Sequence, residues 1–148
     1  MLRSPFLIFL LLGTISVSGQ SVTIWELVQV NPALKKEALY YYEHNWKLYR
    51  DIALKKGFIQ SYRLEQTIMD STGGFELMLI TEYKDSTAYL ESEQNFSSIL
   101  SQARPNGPLL LNKIQPADFR KIILVKISSN LFRAPAAAQL PDNPGHLE

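Results

Sequence analysis

The chain has 148 residues, no cysteine, and 15 basic against 14 acidic residues, which gives a formal net charge of +1. The absence of cysteine excludes thiol catalysis, iron–sulfur clusters and thiolate zinc sites, and it leaves hydrophobic packing rather than disulfides to hold the fold. Acidic and basic residues are interspersed, whereas a nucleic-acid-binding domain usually concentrates its basic residues in one stripe. We therefore expect no nucleic-acid partner.

Residues 1–19 have the order of a secretory signal peptide. A short start containing Arg3 precedes an apolar run over residues 6–17, and Val17, Ser18 and Gly19 are small enough for a signal peptidase to read. The run is 12 residues long, whereas a membrane-spanning helix needs about 20 apolar residues. A membrane anchor is the alternative, but the pattern favours cleavage after Gly19. We expect an exported protein, periplasmic or secreted, with no membrane attachment after cleavage.

Six elements follow within a predicted domain at residues 20–130. Strands are predicted at residues 22–30, 58–69, 75–83 and 120–128 from their β-branched and aromatic residues. Helices are predicted at residues 33–56 and 87–102 from apolar residues at helical spacing. Asn31 is a suitable N-cap for the first helix, and Gly57 suits its C-terminal end. Residues 131–148 are rich in alanine and proline, and we predict a flexible tail there.

The predicted order is strand, helix, strand, strand, helix, strand. This βαββαβ order is typical of the ferredoxin-like α+β fold, in which a four-stranded antiparallel sheet carries two helices on one face. A monomer of this kind should have a polar second face, yet both faces of the first and third strands are apolar. Met78 and Ile80 on this second face are predicted to lie with Glu26, Arg63 and Glu65. Such a mixed face indicates a homodimer that encloses a partly polar cavity.

The order of elements and the two-sided strands resemble the dimeric α/β-barrel superfamily. Residues 40–50, Gly57-Phe58 and residues 79–83 also resemble a group of small exported bacterial proteins with no assigned activity. The resemblance covers about residues 22–128. The superfamily includes cofactor-independent monooxygenases, haem-degrading enzymes, lactone isomerases and proteins with no known chemistry, so the resemblance implies a fold and does not choose an activity.

Candidate catalytic residues are few. His44-Asn45-Trp46 contains the residue types that haem-degrading members use, but consecutive helical residues point about 100° apart and cannot converge on one ligand. We expect Trp46 to be buried and His44 to lie at the edge of the buried stripe. His44 remains a weak catalytic candidate because it is the only histidine of the predicted folded domain. Glu26 and Glu76 are the other weak candidates, since a buried carboxylate could act as a general base.

The candidate ligand-binding residues are Arg63, Glu65, Met78 and Arg120. The alternative for the charged residues among them is an exposed or interfacial salt bridge. No nucleotide-binding, zinc-protease or nucleophile-elbow motif occurs, so we expect no metal and no cofactor. Two functions stay open: an exported homodimeric protein that binds a small apolar or amphipathic molecule or acts as a scaffold, and a cofactor-independent monooxygenase or isomerase that uses the barrel cavity.

Overall fold

The computed structural model describes residues 19–67 and 74–131. The four strands are β1 (Val22–Val30), β2 (Ser61–Gln66), β3 (Leu77–Tyr83) and β4 (Arg120–Ser129). They form one antiparallel sheet in the order β2-β3-β1-β4. This is the strand order of a ferredoxin-like fold, and the predicted α+β class is confirmed. Most of the predicted signal peptide and most of the predicted tail lie outside the described residues.

The first long helix is broken into segments with different hydrogen-bonding patterns. A 3₁₀ turn (Pro32–Leu34) leads into α1 (Lys35–Tyr41), a π-helical segment (Tyr42–Trp46) and α2 (Lys47–Lys55). The Asn31 side chain accepts a hydrogen bond from the Ala33 backbone N–H, as predicted for an N-cap. Gly57 has a φ of 72°, the left-handed conformation expected of a residue that ends a helix.

The second predicted helix is also divided. α3 (Ser86–Leu90) begins at Asp85, whose side chain accepts a hydrogen bond from the Ala88 N–H at 2.8 Å, and α4 (Ser92–Ala103) follows. A 3₁₀ turn (Leu111–Lys113) and the short helix α5 (Pro116–Phe119) lead into β4. In α4, Ile99 is buried, whereas its neighbour Leu100 is 42% exposed. Strand β2 is shorter than its predicted range, 58–69.

The helices pack against one face of the sheet, which we call the covered face. Its core consists of two adjoining groups of buried residues, the larger members of which are Val28, Tyr42, Trp46, Tyr49, Leu77, Leu79, Tyr83, Ile99 and Phe119. We call the other side the open face; the neighbouring residues Trp25, Leu27, Met78 and Ile80 alternate with the covered residues and therefore lie on it. The strands are thus apolar on both faces, as predicted.

Candidate functional site

Glu26 lies on the covered face, which corrects the prediction that it shares a face with Met78. Residues directly opposite in an antiparallel pair point to the same side, and Glu26 pairs with Leu79 of β3 and with Val125 of β4. Leu79 belongs to the core beneath the helices. The error has a physical cause: pairing register decides which strand faces coincide, and a shift of one residue exchanges the faces.

Arg50 of α2 reaches the same side of the sheet. Its guanidinium carbon lies 4.9 Å from the centre of the Trp46 ring and 4.2 Å from that of Phe96, so the cation is held between two aromatic faces. Arg50 Nε donates a hydrogen bond of 3.4 Å to Oγ1 of Thr81, which is buried. In the described part of the chain, Arg50 forms no ion pair with a carboxylate.

Arg120, at the start of β4, is the second cation on the covered face. It pairs with Val30, a core residue, and its Nη1 donates a hydrogen bond of 3.3 Å to the hydroxyl of Tyr42. Its guanidinium carbon lies 4.8 Å from the centre of the Tyr41 ring. The candidate ligand-binding residues Arg63 and Arg120 therefore lie on opposite faces of the sheet. Arg120 lies on the same side as Glu26.

The electrostatics of this group follow from burial. Burial raises the pKa of the Tyr42 hydroxyl and of the Tyr83 hydroxyl, because the ionised form is poorly solvated there. Burial lowers the pKa of Arg50 for the corresponding reason, and the nearby charge of Glu26 acts in the opposite direction. The Glu26 charge also contributes to the raised pKa values of the two tyrosines. The three charged side chains, Glu26, Arg50 and Arg120, therefore lie in one partly buried region of low polarity.

The part of the covered face that β4 contributes is apolar and accessible to solvent. β4 is an edge strand, and Ile122, Val125 and Ile127 pair with the covered-face residues Val28, Glu26 and Ile24. These three β4 side chains are 44%, 51% and 57% exposed. We call them the β4 strip. A strip of this kind beside Glu26 and Arg50 offers contact to the apolar part of an amphipathic molecule.

The open face carries the other predicted ligand-binding residues. Glu65 pairs with Met78, and Arg63 pairs with Ile80. Arg63 and Glu65 form a salt bridge of 3.0 Å in which both side chains are substantially exposed, which agrees with the alternative of a surface ion pair. A shallow depression of about 210 Å³ lies on this face and is lined in part by Trp25, Arg63 and Glu82. A binding role for Arg63, Glu65 and Met78 stays a prediction.

His44 lies on the π-helical segment and away from the three charged residues described above. Its ring stacks on Tyr40 at 4.0 Å between centroids, and Nδ1 is 3.0 Å from the Tyr40 carbonyl oxygen. It is half-buried, and Trp46 is buried at 6% exposure, both as predicted. His44, Asn45 and Trp46 have separate contacts, since Asn45 bonds to Leu109. A catalytic role for His44 stays a prediction.

Glu76 has a local structural contact. Its carboxylate accepts a hydrogen bond from the backbone N–H of Val30 at the end of β1, and its own N–H donates to the Val28 carbonyl at 2.9 Å. A carboxylate engaged in this way helps to fasten the start of β3 to β1. Its proposed role as a base stays a prediction, and it is separated from Glu26 along β1.

Arg50 is the residue that the sequence analysis missed. It lies four residues after Trp46, and residues at this spacing share one face of a helix. The sequence could have indicated Arg50, because an arginine on the same helix face as buried aromatic residues is unusual. Among residues 19–67 and 74–131, no group of three histidine or acidic side chains could hold a metal ion. No helix in these ranges has the length and hydropathy required to cross a membrane.

The chain is similar to several solved structures at low sequence identity. No protein-family model matches the chain, and no curated protein matches it. Among solved structures, HapK from Hahella chejuensis is 12% identical, with 79% of this chain and 99% of that chain covered and a TM-score of 0.48. A proposed monooxygenase from Shewanella loihica is 14% identical, with 78% and 97% covered and a TM-score of 0.42.

A NIPSNAP-like domain protein from Burkholderia xenovorans is 12% identical, with 79% of this chain and 90% of that chain covered and a TM-score of 0.41. The predicted ferredoxin-like fold is confirmed by the element order and the strand order of the chain itself. The chain is a ferredoxin-like α+β protein with a four-stranded antiparallel sheet.

Proposed function

We propose that the protein is an exported homodimer that binds a small amphipathic molecule on the covered face of each sheet. The observation that carries this proposal is the placement of Glu26, Arg50 and Arg120 on the side of the sheet that also holds the core. Charged groups are rarely taken into such surroundings unless they are paired or used. The adjacent β4 strip supplies apolar contact for the rest of the ligand.

The homodimer is supported by the composition of the open face. Trp25, Leu27 and Met78 are half-buried and Ile80 is buried in a single protomer, and Arg63 and Glu65 lie at the edge of this group. An apolar centre with a polar rim is the usual composition of a protein–protein interface. A second copy of the same face would cover these residues and form the barrel.

Export is supported by the signal-like order of residues 1–19, and the mature chain would begin at Gln20. Native mass spectrometry of protein expressed from the full coding sequence and purified from the bacterial periplasm tests all three parts of the proposal. We expect a dimer of protomers that begin at Gln20, some of them carrying additional mass that is lost under denaturing conditions. A monomer would contradict the homodimer, and retention of residues 1–19 in the purified protein would contradict signal cleavage.

An enzyme is the second candidate, and the position of Glu26 favours it. Glu26 lies close enough for its charge to affect Arg50 and Tyr83, so a bound carbon acid could lose a proton to Glu26 while a cation stabilises the resulting enolate. This is the chemistry that a cofactor-independent monooxygenase or isomerase requires. The substitution Glu26→Gln separates the two functions by turnover. An enzyme variant should still bind its substrate but lose turnover, whereas a binding protein has no turnover to lose and should keep its ligand.

A further inference from the structure

Arg50, like Arg120, contacts aromatic rings and forms no ion pair with a carboxylate in the described part of the chain. The described part of the chain has two salt bridges, and both are on the surface: Lys47 with Asp51 and Arg63 with Glu65. Arg50 is half-buried between two aromatic rings and has one long hydrogen bond, to Thr81. A guanidinium has five N–H donors in a rigid planar fork. Most of this donor capacity is therefore unused within the described residues.

Trp46 supplies a second unused donor beside Arg50. The indole Nε1 of Trp46 is buried and, within the described residues, has no hydrogen-bond partner. A buried polar group without a partner costs free energy, so most such groups in folded proteins are satisfied by protein, water or ligand. The Arg50 guanidinium lies over the same indole ring. The indole N–H and the unused guanidinium donors are therefore neighbours.

We infer that the molecule bound on the covered face is an organic anion whose acidic group is recognised by Arg50, with the Trp46 indole N–H as a further donor. This inference rests on the proposed function and specifies its ligand class. Carboxylates and sulfonates have the planar or multi-oxygen geometry that the guanidinium fork matches.

Two dyes with the same aromatic framework test this inference. 8-Anilinonaphthalene-1-sulfonate carries a sulfonate group, and N-phenyl-1-naphthylamine is its neutral counterpart. Both are titrated by fluorescence into the full dimeric protein and into Arg50→Gln, with Lys36→Gln as the control. Lys36 is an exposed cation of α1, so its substitution removes the same charge from the protein surface.

We expect Arg50→Gln to weaken binding of the sulfonate dye by about tenfold to 100-fold, the usual effect of losing a charge-assisted hydrogen bond. The dissociation constant of the neutral dye should change by less than about twofold, and Lys36→Gln should leave the binding of both dyes unchanged. Arg50→Lys keeps the charge but not the planar fork, so it should weaken the sulfonate dye less than Arg50→Gln does. Circular dichroism and thermal unfolding show that each variant is folded.

A third substitution separates failure of the inference from failure of the proposed function. Val125→Asp places a charge in the β4 strip, directly opposite Glu26, and should abolish binding of the neutral dye. If it does so while Arg50→Gln and Arg50→Lys leave the sulfonate dye unaffected, the covered-face site stands and anion recognition by Arg50 is refuted. If neither dye binds, or if Val125→Asp leaves both dyes bound, the proposed site itself is refuted and the inference with it.

Discussion

The two faces of the sheet differ in a way that is opposite to the pattern of a simple monomer. The covered face, which should be dry, carries Glu26, Arg50 and Arg120 beside its core. The open face, which should be polar, has buried Ile80 and half-buried Met78 at its centre. Antiparallel sheets with one solvated face normally keep that face polar. We propose that a protein surface covers the open face and that a small molecule occupies part of the covered face.

The charged residues of the two faces also differ in their partners and in their surroundings. Arg63 and Glu65 pair with each other in an exposed setting, and an exposed pair contributes little to stability. Arg50 lies between aromatic rings without such a partner in the described part of the chain. Substitution of Arg50 should therefore affect the protein differently from substitution of Arg63, although the two residues are equivalent in the amino-acid composition.

The largest expected effect comes from placing a charge on the open face. Met78→Arg should raise the dimer dissociation constant by at least about 100-fold, because an unpaired cation would be buried between the two sheets. Sedimentation velocity over a range of protein concentrations measures the change. Leu54→Arg is the control, since Leu54 is 43% exposed on α2, which packs against the covered face. An unchanged dimer in Met78→Arg would show that the open face is not the interface.

The next effect tests what keeps the helices in place over the covered face. The Asn45 side chain is fully buried and donates to the carbonyl oxygens of Tyr41 and Leu109, while its Oδ1 accepts from the Leu109 N–H at 2.8 Å. Asn45→Ala removes the side-chain partner of both the N–H and the carbonyl of Leu109 and should lower the free energy of unfolding by about 2–4 kcal/mol. Urea denaturation measures this loss.

Asn106→Ala is the control for Asn45→Ala, because Asn106 is an exposed asparagine in the segment that follows α4. Its substitution should change the free energy of unfolding by less than about 0.5 kcal/mol. Equal losses in the two variants would mean that Asn45 does not hold residue 109 against the π-helical segment, and the attachment of the helices would need another explanation.

The smallest effect concerns the contact between α2 and the edge strand β2. Asp51 accepts hydrogen bonds from Lys47, at 2.8 Å, and from the hydroxyl of Tyr62. The bond from Lys47, followed by that from Tyr62, lowers the pKa of Asp51. A carboxylate with a lowered pKa in the folded state contributes stability above its unfolded pKa of about 3.9, and this contribution is lost as the pH falls through the folded pKa.

Asp51→Asn should therefore cost no more than about 1 kcal/mol at pH 7, because the contact is partly solvated. The difference from the unaltered protein should shrink below about pH 4, where Asp51 becomes protonated. Chemical denaturation at a series of pH values measures this trend, with the exposed carboxylate variant Glu43→Gln as the reference. A difference that grows in acid would contradict the assigned sign.

Much of the local structure could be predicted because its causes are local. The β-branched residues of β1 identify the strand at its observed bounds, Asn31 and Asp85 cap helices through their own side chains, and Gly57 adopts the left-handed conformation that its position requires. The order of these elements was sufficient to predict the ferredoxin-like topology. Each of these features depends on residues that are neighbours in the chain.

The site could not be predicted in the same way, because it depends on contacts between distant residues. Alternation along β1 separates Glu26 from Trp25, but only its pairing with Leu79 and Val125 places Glu26 beneath the helices. The register of β4 also shifts between Leu27 and Val28, and no local pattern specifies such an irregularity. The sequence by itself determined the strands, the helices and their order. The tertiary structure decided which charges share a face, because strand register and helix packing are set by the whole core.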